Sequence, residues 1–150
     1  LLNLKTKINI IINKKSKKMR KFFYFRTEAA VADDDDIARS VMFPVDNLIS
    51  MYPTSDTALT LTIKPALPVQ ADGQDGAVIN NDTIILNVNT NAHREVMYAI
   101  AQAANAGGTA YSDGVITVAD DATDDANAAA VYLHEDITSC GAIALAAVVS

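Results

Sequence analysis

Cys140, His134 and Asp136 are the residue types of a nucleophile, a base and an orienting carboxylate, and they fall within seven positions in "HEDITSC". Thiolate catalysis needs such a set, with the base in hydrogen-bond reach of the sulfur and a third group fixing the base. Those partners ordinarily converge from separated parts of a fold, and neither the cysteine nor the histidine sits in a catalytic motif. "TSCGA" offers small residues that pack tightly in a strand, so Cys140 is read as structural. His93 stands beside Arg94 and Glu95, where a helix begins and a surface role is expected. One cysteine and two histidines cannot supply a zinc set of the usual kind within one chain.

Two acidic clusters, Asp33 to Asp36 and Asp120, Asp121, Asp124 and Asp125, could in principle supply oxygens to calcium or magnesium. Counted from Asp120, position six of an EF-hand loop would be Asp125 and position twelve Val131, where a glycine and a bidentate glutamate are required. The clusters therefore read as solvated loops that blunt sheet edges. "DGQDG" and "AGG" match no phosphate-binding fingerprint, and "AGG" follows a helix, the wrong end of its dipole for an anion. No paired carboxylates stand out. Catalytic, cofactor-binding and metal residues are all expected to be none, and the chain is expected not to be an enzyme.

The elements that would position any site are legible from periodicity. "FFYFRT" (22–27) predicts a strand with Phe23 and Phe25 on one face and Phe22 and Tyr24 on the other. "RSVMFPVDNL" (39–48) predicts a short strand held to an edge or ended by Pro44, which lacks an amide donor. "YPTSD" (52–56) has turn composition. In "TALTLTIKP" (57–65) Leu59, Leu61 and Ile63 alternate with Thr60, Thr62 and Lys64, a strand with one apolar face and a threonine face suited to solvent or to a partner. "DTIILNVN" (82–89) repeats the alternation after a Pro/Gly/Asp loop at 65–76.

The period then changes. Val96, Ala99, Ile100, Ala103 and Ala104 form a helical stripe within about 91–106, with Thr90 or Asn91 as the amino-terminal cap and Gly107-Gly108 as a left-handed stop. A strand is predicted at 115–119, an acidic loop at 122–130, and one or two strands in 131–149, interrupted near Asp136 and Gly141. Strands, one long helix, then strands predict an α+β domain, a mostly antiparallel sheet with the helix packed on one face.

Composition bounds the rest. The 150 residues suit a single domain with a modest core, and tryptophan is absent. A lone cysteine rules out an intrachain disulfide, which fits a reducing compartment or an assembly that needs none. Residues 1–18 hold six of the twelve basic side chains and no acid, which leaves six basic against eighteen acidic side chains in 19–150, a net charge of −12. So acidic a body repels nucleic-acid phosphates. "INIII" and 142–149 are both far too short to span a bilayer. Leu, Asn, Lys and Ile supply 16 of the first 18 residues, as translated AT-rich non-coding DNA would. Translation is accordingly expected to start at Met19, with 1–18 an over-extended reading frame rather than a basic tail.

Several stretches carry a resemblance together: "MRKFFYFRTEAAVADDDD", "FPVDNLISMYPTSDTALTLTI", "NAHREVM", "DGVITVADD" and "ITSCG". In these the chain resembles small acidic proteins of tailed phages of marine bacteria, cyanobacterial phages in particular, over nearly all of 19–150. The resemblance implies a virion component made in the host cytoplasm, with itself or other particle proteins as partners, and it carries over no functional residue. From this follows the expected function, a non-enzymatic structural or assembly protein such as a capsid decoration. The alternative from a different class is a small acidic intracellular module that binds a host or phage protein, since an acidic surface can occupy a basic cleft.

Overall fold

Three phenylalanine rings anchor the first sheet of the computed structural model, which describes residues 20–33, 35–65, 81–107, 110–123 and 129–145. Strand β1 (Phe22–Arg26) turns Phe23 and Phe25 inward, both fully buried, and β2 (Ser40–Pro44) adds Phe43 opposite Phe23. Phe25 and Phe43 stack with centroids 5.6 Å apart, and Phe23 meets Phe43 edge-on at 5.8 Å. Such aromatic pairs contribute about 0.5–1.5 kcal/mol beyond the area they bury. The first sheet is completed by β6 (Val115–Asp120) and β7 (Val131–Tyr132), in the order β2-β1-β6-β7. Its β1–β6 pair is parallel and the others are antiparallel.

A second sheet has the order β3-β4-β5-β8, antiparallel throughout, from β3 (Leu48–Ser55), β4 (Ala58–Ile63), β5 (Asp82–Val88) and β8 (Ile137–Ala144). Leu59, Leu61 and Ile63 of β4, with Ile84, Leu86 and Val88 of β5, are buried as their alternation predicts. These residues join the three phenylalanines, Ile116, Val118, Ile137 and Ile143 in one core fed by both sheets. A single 3-10 turn, Val45–Asn47, carries the chain from β2 to β3, so the outermost strands of the two sheets meet at a corner.

One α-helix occurs among the described residues, α1 (His93–Asn105), and it buries Val96, Ile100 and Ala103 while packing against β3 and β6. The α+β class, the mostly antiparallel pairing and the helix hold, while the strands among the described residues divide between two four-stranded sheets.

Several local expectations need correction. "YPTSD" is not a turn: β3 runs through Ser55, and the turn is Asp56-Thr57. Pro53 is tolerated because β3 is an edge strand, where a missing donor need not break a ladder. The threonine face of β4 is not open to partners, since Thr60 and Thr62 are buried; β4 is central, and the Thr60 hydroxyl lies 3.1 Å from that of Thr54 on β3.

Ala92, not Thr90 or Asn91, precedes the helix and makes no side-chain cap bond; Asn91 instead takes a left-handed φ of 67°. The helix ends at Ala106 in extended backbone rather than at a left-handed glycine, and the Lys21 ammonium donates to the Ala106 carbonyl there. A cation at that end complements the helix dipole. Gly141 does not interrupt β8. It lies where the β5–β8 register shifts, and a Cβ on it would meet the Ile85 carbonyl oxygen at 2.8 Å, so glycine permits the close approach. Residues 1–18, Met19, Asp34, most of the 65–76 loop, Gly108, Asp124, Asp125 and residues 146–150 lie outside the described residues.

Candidate functional site

The chemistry-bearing side chains gather at one seam between the sheets. Leaving β6, the chain places Asp121 beside β7 and β8, and its carboxylate accepts from both. The Tyr132 hydroxyl donates to Oδ1 at 2.7 Å, and the Cys140 amide reaches Oδ1 and Oδ2 at 3.1 Å each. Cys140 is the partner of Leu86 in the β5–β8 ladder, yet its N–H turns outward to Asp121. The carboxylate therefore stands where a further strand would supply a carbonyl, and it caps the β8 edge at that point. Arg26, at the end of β1, lies at the same seam: the Asp121 amide donates to its carbonyl at 3.3 Å. Its own buried guanidinium donates to the Glu28 and Ala30 carbonyls at 3.1 and 2.6 Å.

Both acidic protons at this seam are held tightly. Burial pushes the Cys140 thiol up to about 12, with the Asp121 and Asp120 charges adding to it and a hydrogen bond with the Arg26 main chain pulling the other way. Tyr132 is likewise raised to about 12, first by burial and then by its bond to the Asp121 carboxylate. At neutral pH the sulfur is a protonated thiol, which is a poor nucleophile.

The trio of Cys140, His134 and Asp136 does not assemble around that sulfur. His134 Nδ1 accepts the Asp136 amide at 3.1 Å and lies 3.6 Å from the Asp136 carboxylate, a local turn, while the polar surroundings of Cys140 are Asp121, Asp120 and Arg26. His93 bonds the Ser55 carbonyl through Nε2 at 2.9 Å and ties the start of α1 to the end of β3. Among the described residues no three His, Cys, Asp or Glu side chains come together to hold a metal ion.

His134 lines an open groove of about 590 Å³ beside the carboxyl half of α1, with Gln102, Ala103, Ala106, Tyr111 and Leu133. Its walls are mainly alanine and leucine, and its polar groups are the Gln102 amide, the Tyr111 hydroxyl and the His134 ring. Lys21 sits 6.0 Å from the centre of the Tyr111 ring at the end of this groove. By sequence alone Asp121 belongs to a solvated loop, and Tyr132 and Arg26 carry no role. The joining of these residues depends on how two sheets meet, and no local pattern encodes that.

Comparison with known proteins gives no matching family model, no match among curated proteins and no match among solved structures. No helix among the described residues is long and apolar enough to cross a membrane.

Proposed function

We propose that the chain is a non-enzymatic structural or assembly component of a marine phage particle, associating with copies of itself or with other particle proteins. The observation that carries the self-associating part is the border formed by β2 and β3. It leaves Met42, Ile49 and Tyr52 about half exposed on an otherwise acidic molecule. A catalytic reading has little to draw on at Cys140, whose thiol is buried and held protonated by that burial and by the Asp121 and Asp120 charges. The phage assignment rests on the resemblance of the stretches quoted from Met19 onward. Mass spectrometry of purified particles is the test: the protein is expected at many copies per particle, and its absence there overturns the reading.

The groove beside α1 favours a second reading, a small acidic module that binds one host or phage protein. On that reading the chain recovers a single partner in a pull-down from infected cells, and substituting groove residues such as Leu133 abolishes the recovery.

A further inference from the structure

We propose that His134 is a pH-operated latch in the turn between β7 and β8, exchanging its partner and charging the wall of the α1 groove on acidification. A neutral imidazole has one accepting and one donating nitrogen, whereas an imidazolium has two donors. Nδ1 of His134 takes the Asp136 amide at 3.1 Å. The main chain is the donor in that bond, so Nδ1 is bare. The ring is therefore neutral, with its proton on Nε2. Histidine is the side chain that ordinarily changes charge between about pH 5 and 8. The latch depends on neither reading above, though it charges the groove that the second reading uses.

Protonation fills Nδ1, and the Asp136 amide loses its acceptor. The same nitrogen lies 3.6 Å from Oδ2 of the Asp136 carboxylate and becomes its donor. One residue thus offers an amide to the neutral ring and a carboxylate to the charged one. Asp136 is also fastened to the end of β5. Its Oδ1 accepts the Asn89 side-chain amide and its carbonyl the Asn89 main-chain amide, each at 2.9 Å. The Asn89 carbonyl in turn takes the Ala92 amide at 3.1 Å, directly ahead of α1. A carboxylate drawn toward the ring pulls on Asn89, so the exchange reaches the junction of β5 and α1.

Among the described residues the surrounding charges leave Asp136 as the partner of the charged ring. Glu135 is exposed on the same turn, and α1 presents Ala99, Gln102 and Ala103 to the groove without a charge. Across the groove stands the Tyr111 phenol, with the Lys21 ammonium 6.0 Å from its ring centre. β6 meets the turn through the Val118 carbonyl, which accepts the Leu133 amide at 3.0 Å.

The chain has two histidines, and the other supplies the contrast. His93 Nε2 bonds a carbonyl, that of Ser55, at 2.9 Å. That nitrogen carries a proton in the neutral ring and keeps its bond in the charged one. Only His134 must change partner.

NMR of the full chain between about pH 8 and pH 5 tests this. At the upper end, ring nitrogen spectra are expected to show His134 with Nδ1 bare and Nε2 protonated. As the ring charges, the Asp136 amide and the Asn89 side-chain amide signals should move with the ring's midpoint. The Asp136 amide, corrected for its intrinsic exchange rate, should lose about two- to tenfold in protection. His134→Asn offers an oxygen in place of Nδ1 and does not titrate, so the Asp136 signal should then stay constant. His93→Gln should leave the response as in the parent. Should His134→Asn fail to fold, the spectra of the unaltered chain decide. A proton on Nδ1 in the neutral ring overturns the proposal. So does an Asp136 amide that ignores the charging of the ring, or one that still follows the parent midpoint in His134→Asn.

Discussion

Asp121→Ala removes the acceptor that joins β6, β7 and β8, and its cost follows from the hydrogen bonds that end on that carboxylate. The Cys140 amide, on a residue only 6% exposed, is left without its acceptor. An unsatisfied buried donor costs about 1–3 kcal/mol. The Tyr132 hydroxyl loses a charged acceptor at 2.7 Å, but its ring is half-buried and water can replace part of that bond, so about 1 kcal/mol is assigned to it. Relief of repulsion with the adjacent Asp120 returns a few tenths of a kcal/mol.

The net expectation is a loss of about 3 kcal/mol, a large share of the roughly 5–15 kcal/mol typical of a domain. Urea denaturation followed by far-UV circular dichroism reads it: with a slope of about 2 kcal/mol per molar, the midpoint falls by about 1.5 M. Asp121→Asn, which keeps one carbonyl oxygen, should lose about half as much. A double-mutant cycle with Tyr132→Phe should return a coupling of about 1 kcal/mol. Asp121→Ala within about 0.5 kcal/mol of the parent, or a coupling near zero, would refute the assignment of Asp121 as the seam's organiser.

Alkaline pH probes the same seam through Cys140 and Tyr132, whose folded values near 12 lie above their ordinary 9.0 and 10.0. The unfolded chain then releases these protons first, so stability is fully present below pH 9 and falls as pH rises toward 12. The slope is at most about 1.4 kcal/mol per pH unit from the buried Cys140 and smaller from Tyr132, which solvent screens. Urea midpoints at successive pH values should show a shallower fall in Cys140→Ala and Tyr132→Phe; identical slopes would count against both assignments. The native Cys140 thiol should react with a disulfide reagent only as fast as the protein unfolds, and an immediate reaction would show it accessible. Gly141→Ala drives a methyl group against the Ile85 carbonyl and should cost about 1–3 kcal/mol in thermal or urea unfolding, with no loss contradicting the tight β5–β8 approach.

Periodicity locates the strands and the helix because alternation and the helical stripe are local properties. In β4 the pattern Leu59-Leu61-Ile63 identifies the core face, and those side chains are fully buried. The same pattern cannot reveal that Thr60 and Thr62 are buried too, since burial of a polar face depends on what neighbours it. Pro53 reads as a turn signal because composition does not distinguish a turn from an edge strand. At the seam, Cys140 is buried, and its carboxylate partner lies nineteen positions earlier in what reads as a solvated acidic run. The hydrogen bond requires the β5–β8 register and the end of β6 to be known together.

The parallel pairing of β1 with β6 joins Phe22 to Val115, 93 positions later. During synthesis at about 5–20 residues per second, the β1–β2 hairpin, complete at Pro44, would wait about 4–14 seconds for that partner. A two-stranded hairpin is marginal in water by itself. Phe23, Phe25 and Phe43 therefore stay without their finished core until the second sheet and the helix have left the ribosome. The nascent chain is open to chaperones and to misassembly through the aromatic residues that later hold it closed.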